Sequence, residues 1–317
     1  MSQRVGDVTM FVQRAGRKVR AMEFRFERDG FKSDNVCAFA RHVTKTGVID
    51  MAYQQEPYSI LWACRDDGEL IACTFDREQD VVAWHRHPIT GGIVECVECI
   101  PSPDGGRDDL WVIARFTVNG STKRYIGYLE VEAGDEVDQA DWFYVDFGLS
   151  YTGTAPTGVI SGLDHLEGKE VWVLYDGAWH PNRTVSGGQI TLQYTWTTSK
   201  TVHIGLPSPA LLETMDIEAG SVTGTSQGKT KRTHVMHARV IETLGLQAGP
   251  NEDTLEEMNY RTPDMPMDAA PPPFTGDLEV EWPADWSKEM RIVIVKSRPM
   301  PGTVAALMPQ LVSSEGR

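Results

Sequence analysis

Three glycines, Gly16, Gly68 and Gly120, fall 52 residues apart, and each lies between two runs of alternating apolar residues. The first pair of runs is Thr9-Met10-Phe11-Val12-Gln13 and Val19 to Phe26. The second is Ile60-Leu61-Trp62-Ala63-Cys64 and Leu70 to Phe75, turning through Asp66-Asp67-Gly68. The third is Leu110-Trp111-Val112-Ile113-Ala114 and Arg124 to Leu129, turning at Asn119-Gly120. Period-two alternation on both sides of a tight glycine turn is the signal of a β-hairpin. Further strand-like runs flank the hairpins at Val48 to Tyr53, Val81 to His87 and Ile93 to Ile100.

About four strands in each repeat of about fifty residues is the signature of a β-propeller blade. The plainer reading is an all-β protein whose turn glycines align by chance, but the whole hairpin recurs and not only the glycine. Three blades do not close a ring, since propellers have about four to eight. Another segment or chain must complete the ring, or the blades form an open stack. An open stack leaves sheet edges and apolar faces that only an assembly covers.

Composition agrees with a folded protein, with 41% hydrophobic and 24% charged residues in 317. No window comes near eighteen uncharged apolar residues, so no membrane-spanning helix is expected. Met1-Ser2-Gln3-Arg4 runs straight into an alternating segment without the pattern of a signal peptide, which points to the cytoplasm or to a particle assembled there. Five cysteines at irregular spacing do not read as a disulfide framework, and buried reduced thiols are expected. The formal net charge of −15, with only short basic clusters at Arg14 to Arg20 and Lys229 to Arg232, argues against tight binding of nucleic acid.

After the third hairpin the composition changes. Glu132, Asp135, Glu136, Asp138 and Asp141 form an acidic stretch that ends in Trp142-Phe143-Tyr144. A solvated acidic loop is the expectation, because the ordered ligand spacing and glycine of a Ca²⁺ loop are missing. A domain boundary is placed there. In the second half, Asp176-Gly177 and Gly187-Gly188 mark turns between strand-like runs. More runs follow at Thr201 to Gly205, Leu211 to Ile217, His234 to Glu242 and Arg291 to Lys296. The Pro-rich span from Thr262 to Gly276, with Pro271-Pro272-Pro273, reads as an extended arm or linker. The fold class expected is all-β. A partial β-propeller of about three blades spans 1–140, a small β-barrel-like domain 141–210, and a β-sandwich-like domain 211–317 with the arm at 262–276.

Chemical motifs are few. Cys96-Val97-Glu98-Cys99 has the spacing of a metal or redox pair, but on a strand side chains three apart point to opposite faces. His85 and His87 are two apart, share a strand face and could offer two zinc ligands, but no third is visible at a fixed spacing. Gly228-Lys229-Thr230 resembles the end of a phosphate loop, but Thr223 stands where the first glycine belongs, with the glycine displaced to Gly224. Gly-x-Ser-x-Gly and His-Glu-x-x-His do not occur, and the carboxylates are too scattered to nominate a pair. No catalytic, cofactor-binding or metal-binding residue is assigned, and no cofactor is expected.

One long stretch resembles a known family. It runs Ala52-Tyr53-Gln54-Gln55-Glu56-Pro57-Tyr58-Ser59-Ile60-Leu61-Trp62, then Arg65-Asp66-Asp67-Gly68 and Thr74 through His87. Further likeness lies in Ile160 to Gly168, His180 to Gly188, His203 to Pro207, Gln227 to Arg232 and Pro273 to Asp277. Together these resemble phage and prophage tail structural proteins related to the nozzle, or tail tubular protein B, of short-tailed phages, and they match the C-terminal half of that family. The resemblance implies a β-propeller beside β-rich platform domains and a homo-oligomer, expected as a hexameric ring around the DNA exit channel. The partners it implies are a portal or adaptor ring, other tail proteins, and genomic DNA in transit without tight binding. The expected location is the virion, assembled in host cytoplasm, without membrane insertion and without enzymatic activity. Family members carry a long β-rich segment before the position equivalent to Met1. A second chain supplying the missing blades, a misplaced start or a reduced version would each account for that.

Two other functions compete. A glycan-binding module of a tail fibre or spike would stack sugars on aromatic residues such as Trp172, Trp179 and Trp196, although tryptophans in β-proteins are more often core. A propeller hydrolase would need carboxylates converging on a central pocket.

Overall fold

The computed structural model describes residues 1–130, 132, 137–218, 225–266, 269–282 and 285–314. The described chain is all-β, with no α-helix and three single 3-10 turns. It divides into two compact units, Met1–Val131 and Glu132–Arg317. The second holds both segments expected as separate domains, 141–210 and 211–317.

Unit 1 contains three antiparallel sheets. Sheet 1 is β1 (Ser2–Val5), β2 (Val8–Val12), β3 (Val19–Arg25) and β4 (Gly30–Asn35), hydrogen-bonded in chain order. Sheet 2 repeats that arrangement with β5 (Val48–Gln54), β6 (Ile60–Arg65), β7 (Leu70–Asp76) and β8 (Val81–His87). Sheet 3 is β9 (Gly92–Pro101), β10 (Asp108–Val118) and β11 (Ser121–Tyr128), with β10 in the middle.

The three hairpins expected from the sequence are β2–β3, β6–β7 and β10–β11, and their turn glycines all have positive φ: +75° at Gly16, +82° at Gly68 and +71° at Gly120. Asn119 joins Gly120 in the left-handed region, giving the two-residue turn that matches strand twist.

Alternation along the strands decides what each sheet covers. Val5, Val8, Met10, Val19 and Ala21 of sheet 1 pack with Met51, Leu61, Ala63, Ile71, Cys73 and Phe75 of sheet 2 in one core. Burying each large aliphatic side chain there contributes about 1.5–3 kcal/mol. The opposite face of sheet 2, with buried Trp62, Cys64, Leu70 and Ala72, turns toward sheet 3. Sheet 3 answers with Val94, Val97, Leu110, Val112, Ala114 and Phe116, all buried.

The first strands of the sheets lie together: β1 touches β5, and β5 touches β9. Gln3 on β1 donates its side-chain N–H to Met51 O on β5 at 2.7 Å. Asp50 Oδ2 on β5 accepts the Val97 N–H on β9 at 3.1 Å.

Among its described residues unit 2 holds four sheets, and every strand pair there is antiparallel. The first comprises β12 (Asp146–Ala155), β14 (Glu170–Tyr175), β15 (Ala178–Thr184) and β17 (Trp196–Leu206) in the order β12-β17-β14-β15. Beside it, β13 (Val159–Ser161) and β16 (Gln189–Thr191) form a two-stranded ribbon. The segment expected as barrel-like is therefore an open sheet with a ribbon, and no described sheet closes on itself.

The remaining strands are β18 (Ala210–Glu213), β19 (Lys231–Thr243), β20 (Leu246–Asn251), β21 (Thr254–Glu257), β22 (Phe274–Val280), β23 (Val293–Lys296) and β24 (Thr303–Ser313). They make one sheet ordered β18-β23-β20-β21 and another ordered β22-β19-β24. Met236, Ala238 and Val240 of β19 share a core with Ala248 of β20 and Ile294 of β23, so the two sheets enclose a common interior. The described residues of the Pro-rich span have no regular structure through Pro273, and its last residues, Phe274 to Gly276, belong to β22. Pro271 O accepts from Gln139 Nε2 at 2.9 Å, which ties the span to its own unit.

Candidate functional site

His85 and His87 lie on one face of β8, and their rings meet. His85 Nδ1 and His87 Nε2 are 2.6 Å apart, so one ring donates and the other accepts. Thr74 Oγ1 lies 3.2 Å from His85 Nε2, and the Trp62 ring stands 4.9 Å from that of His87. Burial lowers the pKa of His85, and burial with the neighbouring ring lowers that of His87 to about 4. At neutral pH this is an uncharged, mutually bonded pair in the layer between sheets 2 and 3.

Cys96 and Cys99 are free thiols, as are Cys37, Cys64 and Cys73. Burial pushes Cys64, Cys73 and Cys99 up to about 12, and Cys96 is raised by its hydrogen bond with Asp50. Such thiols are protonated and poor nucleophiles. Among the described residues no group of three or more His, Cys, Asp or Glu converges as metal ligands would.

Gly228 makes a left-handed turn that runs into β19 at Lys231, a strand where a phosphate loop requires a helix. Thr223 and Gly224 lie outside the described residues, as do Asp135 and Glu136 of the acidic stretch. Asp138 of that stretch caps the 3-10 turn Gln139–Asp141, accepting the Ala140 N–H at 3.2 Å.

Of the tryptophans weighed for sugar stacking, Trp172 and Trp196 are buried, and Trp196 donates to Gly153 O at 2.8 Å. Trp179 is partly exposed but has the Arg298 guanidinium 4.5 Å over its ring. Sequence reading missed a different pair. A cleft of about 280 Å³ in unit 2 is lined by Trp282, Trp286, Asp285 and Glu289, with Asn251 and Arg291 beside them. Trp286 is 45% exposed, whereas Trp282 is buried.

The most distinctive surface lies on the outward faces of sheets 1 and 3. On sheet 1, strand alternation turns Met22, Phe24 and Phe31 away from the shared core. Phe24 is 52% exposed and Phe31 74%, and their rings meet edge-on at 5.4 Å. On sheet 3 the face away from sheet 2 shows Trp111 and Ile113 opposite Tyr128 and Ile126. The Trp111 and Tyr128 rings are 5.2 Å apart, and Ile126 is 71% exposed. A solvated face of an antiparallel sheet is normally polar. Sheets 1 and 3 instead keep large exposed apolar side chains on their outward faces, among arginines and a few polar residues.

No known protein-family model matches the chain, and no curated protein matches it.

Proposed function

We propose that unit 1 is an arc of β-propeller blades and that the chain is a structural subunit of the tail tube or nozzle of a short-tailed phage. The supporting observation is that the outer sheets of unit 1 keep large apolar side chains on faces that no described residue of unit 1 covers. Such faces are a liability on a solitary protein and an interface in an assembly. Consecutive four-stranded meanders with neighbouring first strands support the blade reading. The sequence resemblance supplies the tail context. In this reading the role is mechanical: the chain assembles as a ring, expected to be hexameric, docks to an adaptor ring and forms part of the conduit through which DNA leaves the virion. The net charge of −15 suits a surface that DNA passes without adhering.

The test is the mass of the purified chain by light scattering, alone and after mixing with the tail proteins of its phage. A ring-sized oligomer, or one formed only with a tail partner, supports the reading. A monomer that ignores every tail protein overturns it.

The glycan-binding alternative loses Trp172 and Trp196, which are core. Its foothold is the Trp282–Trp286 cleft, where an exposed ring stands beside carboxylates and an amide. Glycan-array binding abolished by Trp286→Ala would bring that reading forward.

A further inference from the structure

We infer that the outward face of sheet 1 docks on the outward face of sheet 3 in a second copy of this chain. The inference deepens the assembly part of the proposed function and rests on its blade reading. Sheet 2 shows what the repeat does with its faces: one packs on sheet 1, the other on sheet 3. Sheets 1 and 3 each have one face used in that way and one left open, and each open face exposes large apolar side chains. A second copy offers the missing neighbour to each, continuing the stacking already present between successive repeats.

The charges agree with this pairing. Along its strands the outward face of sheet 1 carries Arg4 and Arg20 and no carboxylate. The face of sheet 3 displays exposed Glu98 opposite Trp111, while Glu95 is already held by Arg115 and Arg124. Arginines on one face therefore meet an exposed carboxylate, Glu98, whose Oε1 accepts the Cys99 N–H at 3.3 Å, across an aromatic centre. The anchors are Phe24 and Phe31 on one side and Trp111, Ile126 and Tyr128 on the other, and aromatic anchors are the usual energetic centre of an interface.

Different surfaces meet, so the contact is head-to-tail and copies join in closed rings or growing chains. Two copies, the smallest closed form, bring six sheets together, within the range of about four to eight that propellers use.

Two exposed substitutions test this, Phe31→Glu on sheet 1 and Ile126→Glu on sheet 3. Thermal melts of both variants, matched to the unaltered chain, first establish that they fold. Light scattering of the unaltered full chain is expected to show masses that are multiples of the monomer. Each variant alone is expected to be monomeric, whereas an equimolar mixture forms two-chain complexes and nothing larger, because each retains the face the other has lost. An unaltered chain that is monomeric at every concentration overturns the inference, as does a mixture that stays monomeric while the unaltered chain associates. A chain that is monomeric alone but enters a complex with tail proteins overturns this contact and leaves the subunit reading standing.

Discussion

Trp62 donates its indole N–H to Gln54 Oε1 at 2.8 Å, and the same Gln54 donates to Asp108 O at 2.9 Å. One buried amide thus ties β6 to β5 within sheet 2 and to β10 in sheet 3. Replacing Gln54 by Leu strands the indole N–H in a buried layer and removes the inter-sheet bond, at a cost of about 2 kcal/mol. Urea denaturation of Gln54→Leu, Trp62→Phe and the double variant measures it. The double variant is expected to lose less than the sum of the single ones, because the second change removes the orphaned donor.

Gly68 and Gly120 occupy matching turns but are not equally replaceable. Both have positive φ, so alanine strains either backbone by about 1 kcal/mol. At Gly120 an added methyl group meets nothing, whereas at Gly68 it runs into Ile93 where sheets 2 and 3 touch. Gly68→Ala is expected to cost at least about 1 kcal/mol more than Gly120→Ala, from the overpacking. Parallel thermal melts of the two variants measure the difference.

The His85–His87 pair gives unit 1 a pH dependence with a defined sign. His87 takes a proton near 6.5 in an unfolded chain and near 4 in the fold, so the folded state binds fewer protons between those values. The stability it contributes is complete above pH 6.5 and lost as the pH falls toward 4. The loss is about 2–3 kcal/mol. Denaturation at pH 7 and at pH 4.5 is expected to show a smaller difference in His87→Gln than in the unaltered chain. An unchanged difference would show that other groups carry the acid sensitivity.

Lys231 is fully buried at the start of β19 and makes three bonds, to both Asp216 oxygens at 3.1 Å and to Ile217 O at 3.0 Å. Asp216 Oδ1 also accepts the Met290 N–H at 2.7 Å, so the pair fastens the chain after β18 and the chain before β23 to β19. Lys231→Met keeps the packing and removes all three bonds, at an expected cost of about 3 kcal/mol. A fall in the denaturation midpoint of unit 2 that spares unit 1 is the outcome to look for.

Much of the fold was legible wherever alternation and turn chemistry agreed. Asp176-Gly177 and Asn119-Gly120 both form left-handed two-residue turns between the strands expected around them. Strands whose alternation is short or interrupted by glycine, proline or charge escaped notice. β12 reads Asp146-Phe147-Gly148-Leu149-Ser150-Tyr151-Thr152-Gly153-Thr154-Ala155, where a brief alternation at Phe147, Leu149 and Tyr151 is broken by glycines and polar residues, and hydrogen bonds to β17 define it. β24 carries Pro309 in its middle, normally an argument against a strand, but β24 is a sheet edge where one missing donor is tolerated. β21 is a short edge strand laden with glutamate. The open faces of unit 1 could be read only once pairing was known, because alternation shows that two faces differ but not which of them is covered. The Trp282–Trp286 cleft is assembled from two separate stretches of chain, one around Asn251 and one from Trp282 to Arg291, and nothing in either stretch signals that they meet.

The most direct test of the central claim, that the outward aromatic faces of unit 1 are interfaces, is hydroxyl-radical footprinting of the full chain followed by mass spectrometry. Labelling of Phe24, Phe31, Trp111 and Tyr128 is compared between dilute chain and its assembled form, prepared alone or with tail partners. The account expects all four to lose labelling on assembly while exposed Trp286 in unit 2 keeps it. Assembled particles in which Phe31 and Tyr128 remain fully labelled would contradict it.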